Sequence, residues 1–232
     1  AIAHYTQAIA IQREVGDKRS EGIDLGNLGG VYKTQGSLEQ ATAYYTQALK
    51  IAHDIGNKRN EGVNLGNLGD VLFKLQRLDE AEEAFRDSIA ICDERNPIIS
   101  GTFRGSLALL LAQQDNPHEA LKLLEEGESK VAPNPEEHGK FLCKKGQVYQ
   151  LSGDTAAAQA ALKRAQEIAA DLKVSGDSEI GQAIAELAAV LEGPDPSEGN
   201  DEDSSTEERE LALIEAERLM ELGRLDLEQA HY

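Results

Sequence analysis

Between residues 25 and 32, Leu25, Leu28, Gly29 and Tyr32 fall at i, i+3, i+4 and i+7. That spacing is one face of an α-helix. Gly29 lies within the stripe, where a missing side chain lets a second helix come close. The helix is predicted to stop at Gly36. A second helix then opens at Ser37, whose hydroxyl suits an N-cap and which has Gln40 three residues on, the capping-box spacing. Ala41, Tyr45, Ala48 and Ile51 give this helix its buried face, and Gly56 marks its end. The pattern is a helical hairpin.

The hairpin recurs. Leu-Gly-Asn-Leu-Gly stands at Leu25–Gly29 and again at Leu65–Gly69, a shift of 40. Gly-Asp-Lys-Arg-Ser-Glu-Gly at 16–22 returns as Gly-Asn-Lys-Arg-Asn-Glu-Gly at 56–62, and the run at 1–9 returns at 41–49. In a third copy Gly105 replaces Gly66 and Ala120 replaces Ala81, a shift of 39. In a fourth, Leu142, Gly146, Tyr149 and Gly153 follow Leu25, Gly29, Tyr32 and Gly36. Arg77 and Asn116 are expected to begin the turn where Gly is absent, Asn116 and Asp154 to cap second helices, and Gly16 and Gly176 to end them. Pro117 follows Asn116 at the first helical position, where a missing N–H costs nothing. The third copy departs from the others, with Arg104 and Ala108 in place of Leu and Gly and Asn96-Pro97 in place of the Gly turn.

Leu-x-x-Leu-Gly-x-x-Tyr, then Gly, then Ala, Tyr, Ala at helical spacing resembles the tetratricopeptide repeat. The 40-residue period exceeds the usual 34 and is similar to the longer form of kinesin light chains, Pins-type adaptors and bacterial signalling proteins. The resemblance implies an all-α fold, a right-handed α-solenoid of antiparallel helix pairs, over residues 1–192: a half repeat at 1–15, about four repeats and a closing helix with Ile180, Ile184, Leu187 and Leu191. Residues 193–205 are acidic and almost free of apolar side chains, and read as a disordered or extended linker. From 206 to 232, Ala216, Leu219, Gly223, Leu225 and Tyr232 match Gly29, Tyr32, Gly36, Leu38 and Tyr45, the pattern of a truncated repeat. Three readings of the ends stay open: a piece of a longer array, a head-to-tail contact between this C-terminal helix and residues 1–15 of another copy, or a helix folded back into the groove.

In tetratricopeptide proteins the first helices line the concave surface, and the resemblance places Asn27 and Asn67 there. An asparagine side chain both donates and accepts, so it can hold a peptide backbone whatever its sequence. Gly26 and Gly66 beside them, with Gly105, are expected to leave room for that backbone. The column continues as Ser106 and Lys144. Lys33, Lys74, Lys140, Lys144 and Arg104, also on first helices, form a candidate positive strip for a peptide carboxylate. They do not reproduce the clamp of chaperone-binding relatives.

Charge changes the picture of partners. The 232 residues carry a net charge of −19, which argues against nucleic acid and anionic membranes and would steer a basic partner toward the chain. No apolar run approaches the roughly 20 residues that cross a bilayer, and Cys92 and Cys143 read as reduced thiols of a cytoplasmic-type protein. Cys143 lies beside Lys144 and Lys145, which would lower its pKa if it faced the groove. The histidines His4, His53, His118, His138 and His231 lack ligand spacing, and there is no phosphate-binding glycine loop. No enzyme, no cofactor and no metal are expected. The expected function is a scaffold that binds a peptide or partner protein in its concave groove. The alternatives are a regulatory segment of a larger signalling enzyme and a head-to-tail self-assembling element.

Overall fold

The computed structural model describes residues 1–193, and the expected segments at 194–205 and 206–232 lie outside them. Every regular element among the described residues is a helix: α1 (Ile2–Val15), α2 (Lys18–Thr34), α3 (Leu38–Asp54), α4 (Lys58–Lys74), α5 (Leu78–Cys92), α6 (Pro97–Gln113), α7 (Pro117–Val131), α8 (Pro135–Leu151), α9 (Thr155–Leu172) and α10 (Glu179–Glu192). Four hairpins pair α2 with α3, α4 with α5, α6 with α7 and α8 with α9, and α1 packs on α2 as a second-type helix. The solenoid fold is as the repeat implied.

Close approach within each hairpin follows from the small residues in the stripe. A Cβ added at Gly29 would stand 3.0 Å from the Tyr45 ring, and one at Gly69 would stand 2.7 Å from Phe85. Both rings are buried, so each glycine is the notch into which the second helix sets its largest side chain. Phe85 in turn stacks against Phe103 of the next hairpin, with centroids 6.1 Å apart. At the far end α10 lays the buried Ile180 and Leu187 over Gly139 and Gly146 of α8.

The turns depart from expectation in three details. The residue between first and second helices is left-handed in all four hairpins, at Gly36, Gln76, Asp115 and Gly153 (φ 74°, 59°, 60° and 82°). Arg77 and Asn116 therefore follow the turn as N-caps and do not begin it. Ser37 makes no side-chain capping bond, whereas Asp154 accepts from the Ala157 N–H at 2.9 Å. Finally, α9 ends at Leu172 with Lys173 left-handed (φ 53°), so Gly176 lies beyond the cap.

A polar contact joins each hairpin to the helix before it. Glu21 accepts from Arg13 at 2.6 Å, Glu61 meets His53 at 3.2 Å, Ser100 donates to Asp93 at 2.7 Å, and His138 meets Glu128 at 3.4 Å. The first-helix residues of these contacts share one register but run Glu, Glu, Ser, His, and in the last contact the partner Glu128 lies one turn before the register of Arg13, His53 and Asp93. Glu21 and Glu61 are buried, which works to raise their pKa, but Lys18 with Arg13, and Lys58 with His53, more than reverse this. Their folded pKa values thus lie below the unfolded ones. The stabilisation is present above the ordinary carboxylate range near ~4.3 and is lost as pH falls through the folded values. Thermal melts should therefore hold steady from neutral pH down to about 5 and fall below about 4. A Glu21→Gln/Glu61→Gln variant should melt lower at neutral pH and lose less on acidification; an unchanged acid slope would remove these two joints as its source.

Candidate partner-binding groove

Successive first helices touch one another directly, α2 with α4, α4 with α6 and α6 with α8. Among the described residues no pair of second helices comes as close, although Arg86 of α5 reaches Glu119 of α7 at 2.9 Å. The stack is tighter on the first-helix side, which makes that side the inner face. Along it the repeat places Asn27, Asn67, Ser106 and Lys144 in one column. Asn27 is exposed, its amide reaching only Asp24 at 3.5 Å, and Asn67 is half-buried.

The lower part of the column is knitted into a row across four helices. Lys33 of α2 stands 3.6 Å from Asp70 of α4. Ser106 of α6 donates to Asp70 at 2.9 Å, and the Lys144 ammonium of α8 donates to the Ser106 hydroxyl at 2.5 Å. Lys74 lies one turn beyond Asp70 on α4 and is exposed. Burial works to raise the Asp70 pKa, but Lys144, Lys33 and the Ser106 hydroxyl hold it below the usual carboxylate range. Burial also pushes Lys144 below the ordinary ammonium value, with Asp70 opposing it. Lys140, a turn earlier on α8, is bound by Glu137 and by Glu179 of α10, each at 2.7 Å.

Several residues expected in the groove are placed elsewhere. The notch at Gly66 is filled by the Phe103 ring, that at Gly105 by Phe141, and that at Gly26 by the Asn64 side chain. These glycines admit the first helix of the next hairpin, not a ligand backbone. Arg104 is 7% exposed and turned to the other side, bound to Asp93 at 2.7 Å, Glu126 at 3.3 Å and Ser100. Cys143 is buried, and burial pushes its thiol up to about 12, the reverse of an activated thiolate. Asn64 and the role of Asp70 as the anchor of the row escaped the sequence reading. The signal for Asn64 was present: it stands in the same register as Phe103 and Phe141, two positions ahead of the small residue in each copy.

Stacked hairpins with an inner polar face define a tetratricopeptide-type α-solenoid, a fold of protein-interaction scaffolds. The sequence model of the MalT-like TPR region matches residues 1–189, and the chain belongs to that family. Among solved structures it is similar to BtubC (BKLC) from P. vanneervenii, with 19% identity and a TM-score of 0.60, over 75% of this chain and 74% of that one. It is also similar to a putative kinesin light chain with nearly identical TPR-like repeats from Podosopora anserina, with 19% identity and a TM-score of 0.54, over 75% and 88% of the two chains. These likenesses concern the fold. No curated protein sequence matches the chain. Among the described residues no helix is long and apolar enough to cross a membrane.

Proposed function

We propose that the chain binds an extended segment of a partner protein along the inner face of α2, α4, α6 and α8. The observation that carries this is the column from Asn27 to Lys144, which sets hydrogen-bonding side chains at one register on four helices that lie side by side. An extended peptide presents its own donors and acceptors at regular intervals, and Asn27 and Asn67 can answer both. The exposed amide of Asn27 has little to lose on binding, since its contact within the chain is a long one.

Capture from native lysate by wild type and by Asn27→Ala/Asn67→Ala tests the reading. The double variant is expected to keep its helical circular dichroism and to lose the captured partner. Equal capture by both would take these residues out of the site.

A second reading is a regulatory or sensor segment of a larger signalling protein. It is favoured by the family's description as a region, a term that fits part of a longer chain. A catalytic or nucleotide-binding domain in the adjoining coding sequence would support it, and a stop on both sides would exclude it.

A further inference from the structure

The net charge of −19 points to basic partners, but the inner face has a different local balance. At the row across α2, α4, α6 and α8, Lys33, Lys74 and Lys144 surround Asp70; the further carboxylates that act on them, Glu137 on Lys144 and Glu179 on Lys33, are each bound to Lys140, so the cluster keeps an excess of positive charge. Lys144 in particular donates to a neutral hydroxyl, that of Ser106. Lys140 shows what a satisfied cation looks like on the same helix, with two carboxylates at 2.7 Å. Half-burial of Lys33, Asp70 and Lys144 lowers the local dielectric, so the unmatched positive charge acts more strongly here than on an exposed helix.

We propose that this row docks an acidic segment of the partner polypeptide, with its carboxylates seated between Lys33, Lys74 and Lys144. The proposal rests on the groove reading above and names the chemistry of what enters it. The cations of the row are flexible point charges, not the planar fork of arginine that favours bidentate phosphate recognition, so side-chain carboxylates are the matching anions. Asp70 has two effects. It holds the lysines of separate hairpins together, and it repels the incoming anion, so that a single stray carboxylate gains little and a segment carrying several is selected. The supply of lysines from three different repeats makes the site a property of the stack.

Three fluorescein-labelled peptides of one Gly/Ser framework, carrying several Glu, several Gln or several Lys, are titrated with the full chain at low salt and followed by anisotropy. The Glu peptide is expected to bind about tenfold more tightly than the Gln peptide and to weaken as salt rises. Lys144→Gln and Lys33→Gln/Lys74→Gln should each weaken it several-fold, Lys144→Arg should retain it, and Asp70→Asn should tighten it. Lys163→Gln, on the exposed face of α9, should change nothing. A Glu peptide no tighter than the Gln peptide, a Lys peptide tighter than both, or an equal loss from Lys163→Gln would overturn the proposal. The two readings separate in the Gln peptide. If it binds, is lost in Asn27→Ala/Asn67→Ala and is indifferent to the lysine changes while the Glu peptide gains nothing, the groove stands and the acidic preference falls.

Discussion

Gly66→Ala should destabilise the solenoid by about 2 kcal/mol, although alanine is the better helix former by ~1 kcal/mol. The added methyl would fall within the Phe103 ring. That ring is 4% exposed and stacked on Phe85, so it has no free volume to move into. Either the ring leaves its rotamer or α4 and α6 part, and each outcome exceeds the gain in propensity. At ~2–4 °C per kcal/mol for a chain of this size, the melting midpoint should drop by roughly 4–8 °C. Two comparisons isolate the cause. Gly36→Ala meets nothing within 4 Å and carries only the penalty of its left-handed backbone (φ 74°), about 1 kcal/mol. Phe103→Leu, costly alone because it opens a cavity, should become less costly in the Gly66→Ala background, a coupling visible in a double-mutant cycle. Hydrogen exchange should rise mainly in α4 and α6, since repeats of a solenoid interact chiefly with their neighbours. A Gly66→Ala protein as stable as wild type would mean that Phe103 does not occupy the notch.

The same glycine shows where sequence reading reaches its limit. The hairpin was legible because its signals are local: Leu25, Leu28, Gly29 and Tyr32 lie within two helical turns, and Tyr45 follows at the place that Gly29 has emptied for it. Gly26 and Gly66 look alike from within one copy, and their smallness suggests space for a ligand. What fills them comes from the next copy, so only a comparison between registers reveals it. The left-handed turns at Gln76 and Asp115 were illegible for a related reason. There the backbone is set by the packing of the two helices it joins, and residue type follows only where the strain is relieved by Gly36 or Gly153. Of the groove, the common register of Asn27, Asn67, Ser106 and Lys144 follows from the repeat alone. The row through Asp70 was not, because Lys33, Asp70 and Ser106 occupy different positions in their own copies and meet only through the offset between neighbouring helices.

Arg104 tests whether the third hairpin's departure from the pattern is a defect or an alternative solution. Leucine stands at this position in the other copies, as Leu25, Leu65 and Leu142, so Arg104→Leu introduces a side chain the fold already accommodates. Were the arginine a defect, the variant would be more stable. We expect it to be less stable by about 1–2 kcal/mol, because Arg104 is the buried half of an ion pair whose partners remain. Asp93 keeps Ser100 at 2.7 Å and Lys130 at 3.0 Å and is 40% exposed, so water moderates the loss. Arg104→Ala should cost more, since it also removes the packed aliphatic stem. Acid distinguishes the ion pair from packing. The Ser100 hydroxyl, then the Arg104 guanidinium and the Lys130 ammonium, hold the Asp93 carboxyl well below the usual carboxylate range. A depressed folded pKa gives a stabilisation that is complete above ~3.9 and declines as pH falls toward the folded value. The gap in melting midpoint between wild type and Arg104→Leu should therefore be constant from about pH 8 to 5 and narrow below about 4. A gap that persists unchanged at pH 3 would assign the arginine's contribution to packing, and a variant that melts above wild type would make the third hairpin's polar joint a cost that the solenoid tolerates.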